Sequence, residues 1–227
     1  MLSEPSSGLP VMPDNLSYDI NGIPDTAYSD DDLIKFLRDH KLNKSSPSFR
    51  YSNSGTALLS LVMEHATDKE FTALLNEHVI SPFELKNTML EVPVKKQGFF
   101  TDGSKQGKNV PHWDIFHAMA PAGGLRSTSE DLAIFLSAFL RDSNYRNTRN
   151  YMQKIRYSDN ISDINVATGW FMNSSAKDNI YWVAGSTGGF SSFAGYSTSD
   201  NRFAIMLSNS NISLTESGLK ILKSRAP

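Results

Sequence analysis

Phe49-Arg50-Tyr51-Ser52-Asn53-Ser54-Gly55-Thr56-Ala57-Leu58-Leu59 is the stretch on which the fold turns. It sets a Tyr-x-Asn triplet directly before an apolar run, and Asn53 or Ser54 is a suitable cap for a helix continuing through Leu61, Val62 and Met63. Those apolar positions lie nearly all round the helix, so it is expected to be buried, with Asp68-Lys69 breaking it. Tyr-x-Asn alone is a weak signal. Three residues with one free position recur by chance, and a packed tyrosine beside a capping asparagine is an ordinary structural pair. Specificity has to come from the surroundings.

Working outward, residues 1 to 28 are rich in Pro, Gly, Ser, Asn and Asp and read as surface loop. Ser29-Asp30-Asp31-Asp32 has the form of a capping box ahead of Leu33, Ile34, Phe36 and Leu37, which predicts a helix from about 30 to 40. Downstream, a second helix spans Phe71 to Val79 and stops before Pro82, because a residue preceding proline avoids the helical region. Residues 91 to 122 look irregular. Thr128-Ser129-Glu130-Asp131 is a second capping box, heading a helix with Leu132, Ile134, Phe135, Leu136, Phe139 and Leu140, and a further helix covers about 146 to 156.

The character then changes. Val166 to Met172, Ile180 to Ala184, Phe190 to Tyr196 and Arg202 to Leu207 are short, aromatic and β-branched, and separated by turn residues, so they read as an antiparallel meander. A closing helix from about Ser213 to Ser224 would pack Leu214, Leu219, Ile221 and Leu222 on that sheet. Helices followed by sheet plus helix make an α+β fold, with a loop and helical lobe over 1–160 and a sheet with its carboxy-terminal helix over 161–227.

Composition excludes several classes. The 227 residues, 39% hydrophobic and 20% charged, have the length and balance of a globular chain with a sizeable core. A formal net charge of −2 gives no basic footprint for nucleic acid or an anionic membrane. No stretch approaches the roughly 18 apolar residues of a membrane span, and the amino terminus lacks a charged region followed by an apolar one. Zero cysteines remove disulfides and thiolate metal sites, which leaves the compartment open.

The stretch around Tyr51 resembles the second box of the class C β-lactamase and penicillin-binding protein family of serine hydrolases, and four further segments agree in order and spacing. Ser6-Ser7-Gly8-Leu9-Pro10 is similar to the end of the family's Leu-Leu-x-His-Thr-Ser-Gly-Leu-Pro loop. Ile80-Ser81-Pro82-Phe83-Glu84-Leu85-Lys86-Asn87-Thr88 resembles its Pro-Leu-Gly-Met-x-x-Thr segment. Pro111-His112-Trp113 with Ala120-Pro121-Ala122-Gly123-Gly124-Leu125-Arg126-Ser127-Thr128 resembles the turn before a helix. Gly185-Ser186-Thr187-Gly188-Gly189-Phe190 resembles the end of the third box. The resemblance implies a helical lobe against an antiparallel sheet with the active site between them, no cofactor, a small-molecule or peptide substrate, and the periplasmic or secreted location common in the family.

It also implies roles. Acyl transfer needs a nucleophile, a base, donors for the developing oxyanion and a group that seats the substrate. By resemblance Tyr51 shares proton transfer with the lysine of a Ser-x-x-Lys box, which requires a nearby ammonium to depress the phenol's pKa. Asn53 bonds the substrate amide through a side chain that both donates and accepts. Gly185, Ser186 and Thr187 line the substrate, with the Ser186 backbone N–H in the oxyanion hole. His112 reads equally as a loop residue or a substrate contact. His40, His65, His78 and His117 lack the paired spacing of a metal site.

Two departures matter. The family's Ser-x-x-Lys lies upstream of the Ser-Gly-Leu-Pro loop at which this chain begins, so the resemblance implies that the nucleophile helix and the first strands are missing and that the chain is inactive alone. Ser174-Ser175-Ala176-Lys177 and Ser217-Gly218-Leu219-Lys220 do occur, but with 31 serines and 13 lysines about two such strings arise by chance. In the third box, Val183 and Ala184 stand where the family has a Lys or His and a variable residue, so the cation for a substrate carboxylate is missing. A ligand-binding module that keeps the cleft without catalysis is the alternative reading. Without the first strands, the segment from Arg202 to Leu207 would present an unpaired edge and a bare apolar face, both prone to self-association.

Overall fold

The computed structural model describes residues 7–41, 50–115, 117–159, 164–175 and 178–224. The chain forms two compact units: Met1–Glu84 with Thr88–Glu91 and Trp113–Arg126, and Leu85–Asn87 with Val92–His112 and Ser127–Pro227. The helices after Thr128 therefore cluster with the sheet rather than with the earlier helices, unlike the division expected at residue 160.

The first unit is helical. Helix α1, Asp30–Asp39, starts with the expected capping box: Ser29 Oγ accepts from Asp32 N (3.2 Å) while the Asp32 carboxylate accepts from Ser29 N (3.0 Å). Helix α2, Asn53–Thr67, ends at Asp68, whose φ of 54° is left-handed. Its cap is Ser52, not Asn53 or Ser54. Nor is α2 buried all round. Its buried residues are the small ones, Ser54, Gly55, Ala57 and Ser60, while Val62 and Met63 are exposed. Small residues let the turn His117–Met119 and the short helix α4, Ala120–Gly123, approach closely, and the larger side chains are left at the flanks.

Around that contact Leu9, Leu16, Leu33, Phe36, Ala57 and Met119 form the core. Helix α3, Phe71–Leu75, widens into a π-turn over Asn76–Ile80 and stops ahead of Pro82 as expected. Arg126 ties this unit's separate segments together. Its backbone pairs with Met89, and its guanidinium donates to the carbonyls of Leu90 and Trp113 and to Asp114 Oδ1 (2.6 Å).

The second unit is a six-stranded antiparallel meander with helices on both faces. A small hairpin precedes it, β1 Gly103–Lys105 and β2 Lys108–Val110, in the region read as irregular. Helix α5, Ser129–Arg141, is capped by Thr128 Oγ1 on Asp131 N (3.2 Å), and the buried Asp131 carboxylate accepts from Asn87 N (2.7 Å). Helix α6, Arg146–Met152, is shorter than expected because Ile155 already opens β3, Ile155–Asp159.

The stretch 166–172 is not one strand. Gly169, at φ 75°, turns it between β4, Ile164–Ala167, and β5, Trp170–Ser174. The sheet continues as β6 Asn179–Thr187, β7 Phe190–Ser197 and β8 Phe203–Ser208, followed by helix α7, Thr215–Lys223. Leu136, Phe139 and Leu140 of α5 cover one face over Ala167, Met172, Tyr181 and Tyr196. Leu214 and Leu222 cover the other over Ile180, Phe193 and Ala204.

The face around β8 is therefore clothed rather than bare, although β8 pairs only with β7 among the described strands. Ile221, expected to pack, is 51% exposed. Helix α7 comes this close because Gly218 lies flat on the Phe193 ring; a Cβ there would stand 2.3 Å from it.

Candidate active site

The two groups of candidate residues fall on different units, and each is described within its own. In the first, the Tyr-x-Asn triplet sits at the head of α2 and is locked to the Ser-Gly-Leu-Pro loop. Ser52 Oγ accepts from Gly55 N (2.9 Å) and donates to the Pro10 carbonyl (2.7 Å), so one hydroxyl both caps the helix and clamps the loop. Asn53 N and Ser54 N donate to the Val11 carbonyl (2.9 and 3.3 Å). Two motifs some forty residues apart thus become one structure. Sequence reading missed Ser52; its signal was a serine three residues ahead of Gly55, the usual reach of a capping side chain.

Asn53 Nδ2 donates to Met12 Sδ (3.3 Å), a weak acceptor that a better one displaces readily. Tyr51 is 50% exposed. Desolvation raises its phenol above the ordinary value, and no cation among the described residues offsets that rise. A raised phenol stays protonated near neutrality, where it donates a hydrogen bond and does not take a proton.

In the second unit, Gly185, Ser186 and Thr187 form the end of β6. β5 pairs with β6 only from Asn179 to Trp182, whereas β7 pairs with it through Thr187. The turn Gly188–Gly189, with φ of 36° and 84°, closes the β6–β7 hairpin on the pair Thr187↔Phe190. Counting back by the alternation of an antiparallel ladder, Thr187, Gly185 and Val183 direct their backbone groups to β7. Ala184 and Ser186 direct theirs to the opposite side, beyond the end of β5. The Ser186 N–H therefore projects from an open strand edge.

The Ser186 hydroxyl is tied back to Ser191 Oγ (3.0 Å) and leaves that edge clear. Gly185 is exposed, and a Cβ there would meet only Ser192 Oγ, at 4.0 Å, so packing does not demand a glycine. What holds the segment in place is the β1–β2 hairpin. Ser104 N donates to the Gly189 carbonyl (3.1 Å), and Gly103 and Gly189 touch so closely that a Cβ on either would stand 2.5 Å from a neighbouring atom.

Val183 is 40% exposed where a cation was sought. His112 stands edge-on to Phe100 (5.0 Å), which stacks on Phe190, so its ring has a packing role. His40 lies 3.3 Å from Asp14 and packs on Phe36. Among the described residues no cluster of His, Asp and Glu could hold a metal, and no helix is long and apolar enough to cross a membrane. Of the Ser-x-x-Lys strings, Ala176 and Lys177 lie outside the described residues, while Ser217 and Lys220 are exposed on α7.

Comparison with known proteins adds an independent line. A family model described as Beta-lactamase matches residues 2–221. Protein flp of Staphylococcus aureus strain MW2 is 23% identical over 210 residues, covering 84% of this chain and 41% of that protein. A beta-lactamase-like protein of Arthroderma benhamiae is 25% identical over 138 residues, covering 60% of this chain and 22% of its own. The chain thus spans less than half the length of these curated relatives.

Among solved structures, a class C beta-lactamase from Rhodobacter sphaeroides superposes with TM-score 0.80 at 16% identity, over 98% of this chain and 72% of that one. A D-amino acid amidase from Ochrobactrum anthropi SV3, complexed with D-phenylalanine, gives TM-score 0.69 at 19% identity, over 92% and 69%.

Proposed function

This chain belongs to the beta-lactamase family and has a β-lactamase/transpeptidase-like fold, and from that premise we propose that it carries the recognition half of a serine-hydrolase site without the nucleophile. The observation that carries the reading is the Ser186 N–H on the unpaired end of β6. A carbonyl under attack develops negative charge on its oxygen, and a fixed backbone donor stabilises that charge without reorganising. Within the first unit, Asn53, whose side-chain amide meets a thioether among the described residues, is suited to bond a ligand amide. Gly185 leaves room for a ligand backbone to lie along the strand.

Proton transfer is the part that the described residues do not support. A phenol raised by burial, with no cation among the described residues to offset the rise, stays protonated at neutral pH and so is not available as a base. Labelling with a fluorophosphonate and with a fluorescent penicillin, read by intact mass spectrometry, tests this. No adduct is expected, and stoichiometric labelling by either probe refutes the reading.

Binding without turnover is the second reading, favoured by the same raised phenol. An apolar Val183 in place of a cation favours neutral ligands. A D-phenylalanine amide blocked at its amine is therefore expected to bind more tightly than the matching carboxylate in calorimetry, and the opposite order refutes the assignment of Val183.

A further inference from the structure

One row of side chains at the end of the sheet is made of hydroxyls. The register sets Ser186 of β6 opposite Ser191 of β7, and Ser191 opposite Ser208 of β8, so the three lie side by side on one face. Alternation puts Trp182 and Ala184 on that same face, packed with Phe193 in the cluster that α7 covers. The face thus passes from apolar side chains under the helix to hydroxyls at the strand ends.

The middle serine settles where the protons go. Ser191 is 4% exposed, and its Oγ accepts from Ile212 N, in the connection from β8 to α7 (3.2 Å). A buried hydroxyl also has a proton to place, and among the described residues the acceptor within reach of Ser191 Oγ is Ser186 Oγ, at 3.0 Å. Ser191 is therefore the donor of that bond. In the reverse direction its proton would be buried without a partner, whereas Ser186 is exposed and gives its own proton to whatever lies outside. Each hydroxyl then accepts one hydrogen bond and donates one, an arrangement in which each bond strengthens the next.

We propose that the outward O–H of Ser186 is a second ligand donor, oriented by Ser191 as a positioning residue. Ser186 then offers one ligand two donors: the N–H in the plane of the sheet, beyond the end of β5, and the O–H above that plane. The inference rests on the reading of the Ser186 N–H given above, and it narrows the ligand class. A simple amide has a single carbonyl and uses one donor. An N-acylated amino acid amide lying along β6 carries two carbonyls in succession and uses both, and it is neutral, as the apolar Val183 favours.

Two probes separate the donors: N-acetyl-D-phenylalanine amide, with two carbonyls, and hydrocinnamamide, which keeps the ring and the terminal amide but lacks the acylamino group. In calorimetry on the whole chain, Ser186→Ala is expected to weaken binding of the first about fivefold and to leave the second unchanged. Ser191→Ala leaves the Ser186 hydroxyl present but unheld, and is expected to give a smaller loss, again on the first probe alone. If Ser191→Ala weakens both probes alike, it acts through the strand and the positioning role is overturned. The Ser186 amide resonance reports on the underlying reading separately and is expected to shift with either probe. A shift with both probes, combined with unchanged affinities in Ser186→Ala, overturns the hydroxyl donor and leaves the N–H reading standing. Absence of binding, or binding without that shift, removes the reading and this inference together.

Discussion

The contact between the β1–β2 hairpin and the turn after β6 separates backbone strain from steric crowding through three glycine-to-alanine variants. Gly107 has φ 75° and open space where a Cβ would stand, so Gly107→Ala bears only the left-handed penalty, about 1 kcal/mol. Gly103 lies outside that conformational region, but a Cβ would stand 2.5 Å from the Gly188 carbonyl oxygen and 2.8 Å from the Phe190 ring. Gly103→Ala therefore forces backbone apart, at about 1–3 kcal/mol.

Gly189 combines both terms. Its φ is 84°, and a Cβ would meet Val110 Cγ2 at 2.5 Å, Ser104 N at 2.7 Å and Gly103 C at 2.8 Å. The expected cost of Gly189→Ala is about 2–4 kcal/mol. Urea unfolding in a Trp113→Phe background, read by Trp170 and Trp182 in the second unit, gives each value as a midpoint shift at constant slope. If Gly103→Ala and Gly189→Ala cost no more than Gly107→Ala, the hairpin does not grip the turn. The hairpin would then have no part in fixing Gly185, Ser186 and Thr187.

Three further perturbations test the packing around the candidate residues. Ser54 is fully buried and its hydroxyl has no partner among the described residues, so Ser54→Ala is expected to be neutral or to stabilise by up to about 1 kcal/mol in thermal or urea unfolding; a clear loss would reveal a partner for that hydroxyl. Arg126→Ala removes the donor to two carbonyls and to the Asp114 carboxylate, itself 43% exposed, and should cost about 2 kcal/mol as read by the fluorescence of Trp113. Arg126→Lys, which cannot fork, should recover only part of it. Burial pushes the phenols of Tyr28 and Tyr196 up to about 12. Above about pH 10 the unfolded chain loses those protons first, so the contribution of Tyr196 is whole below pH 10 and lost by about pH 12, roughly 2–3 kcal/mol. Phenolate absorbance rising for every tyrosine near pH 10, with no fall in stability beyond it, would contradict this.

Local chemistry made much of the fold legible. The boxes at Ser29 and Thr128, the left-handed stop at Asp68 and the turn before Pro82 depend on a few adjacent residues, and each stands where those residues place it. Errors arose where a distant partner decides. Val166 to Met172 has the composition of one strand, but Thr168-Gly169 folds it into two so that Trp170 and Met172 can join the core beneath α5. On α2 the leucines and valine suggested burial all round, whereas the small face is buried because the turn at His117–Met119 packs there.

The candidate site divides along the same line. Tyr51, Ser52 and Asn53 are contiguous, so the head of α2 could be read directly, and only the clamp from Ser52 to Pro10 needed the fold. Ser186 differs, because its usefulness depends on a neighbour that stops short. Among the described strands the N–H has no ladder partner because β5 gives out at Trp170 while β6 runs on to Thr187 beside β7, and no property of residues 183–187 encodes where β5 ends. The same holds for the hairpin at 103–110, whose short, mostly polar strands lack any alternating apolar signal and which owes its place to the contact of Gly103 with Gly189. A donor at an open strand end is thus made by the lengths of two strands and secured by two glycines 86 residues apart. For that reason a substitution in the hairpin is expected to displace Ser186 more than a change of the Ser186 side chain itself, whose hydroxyl points to Ser191 and away from the edge.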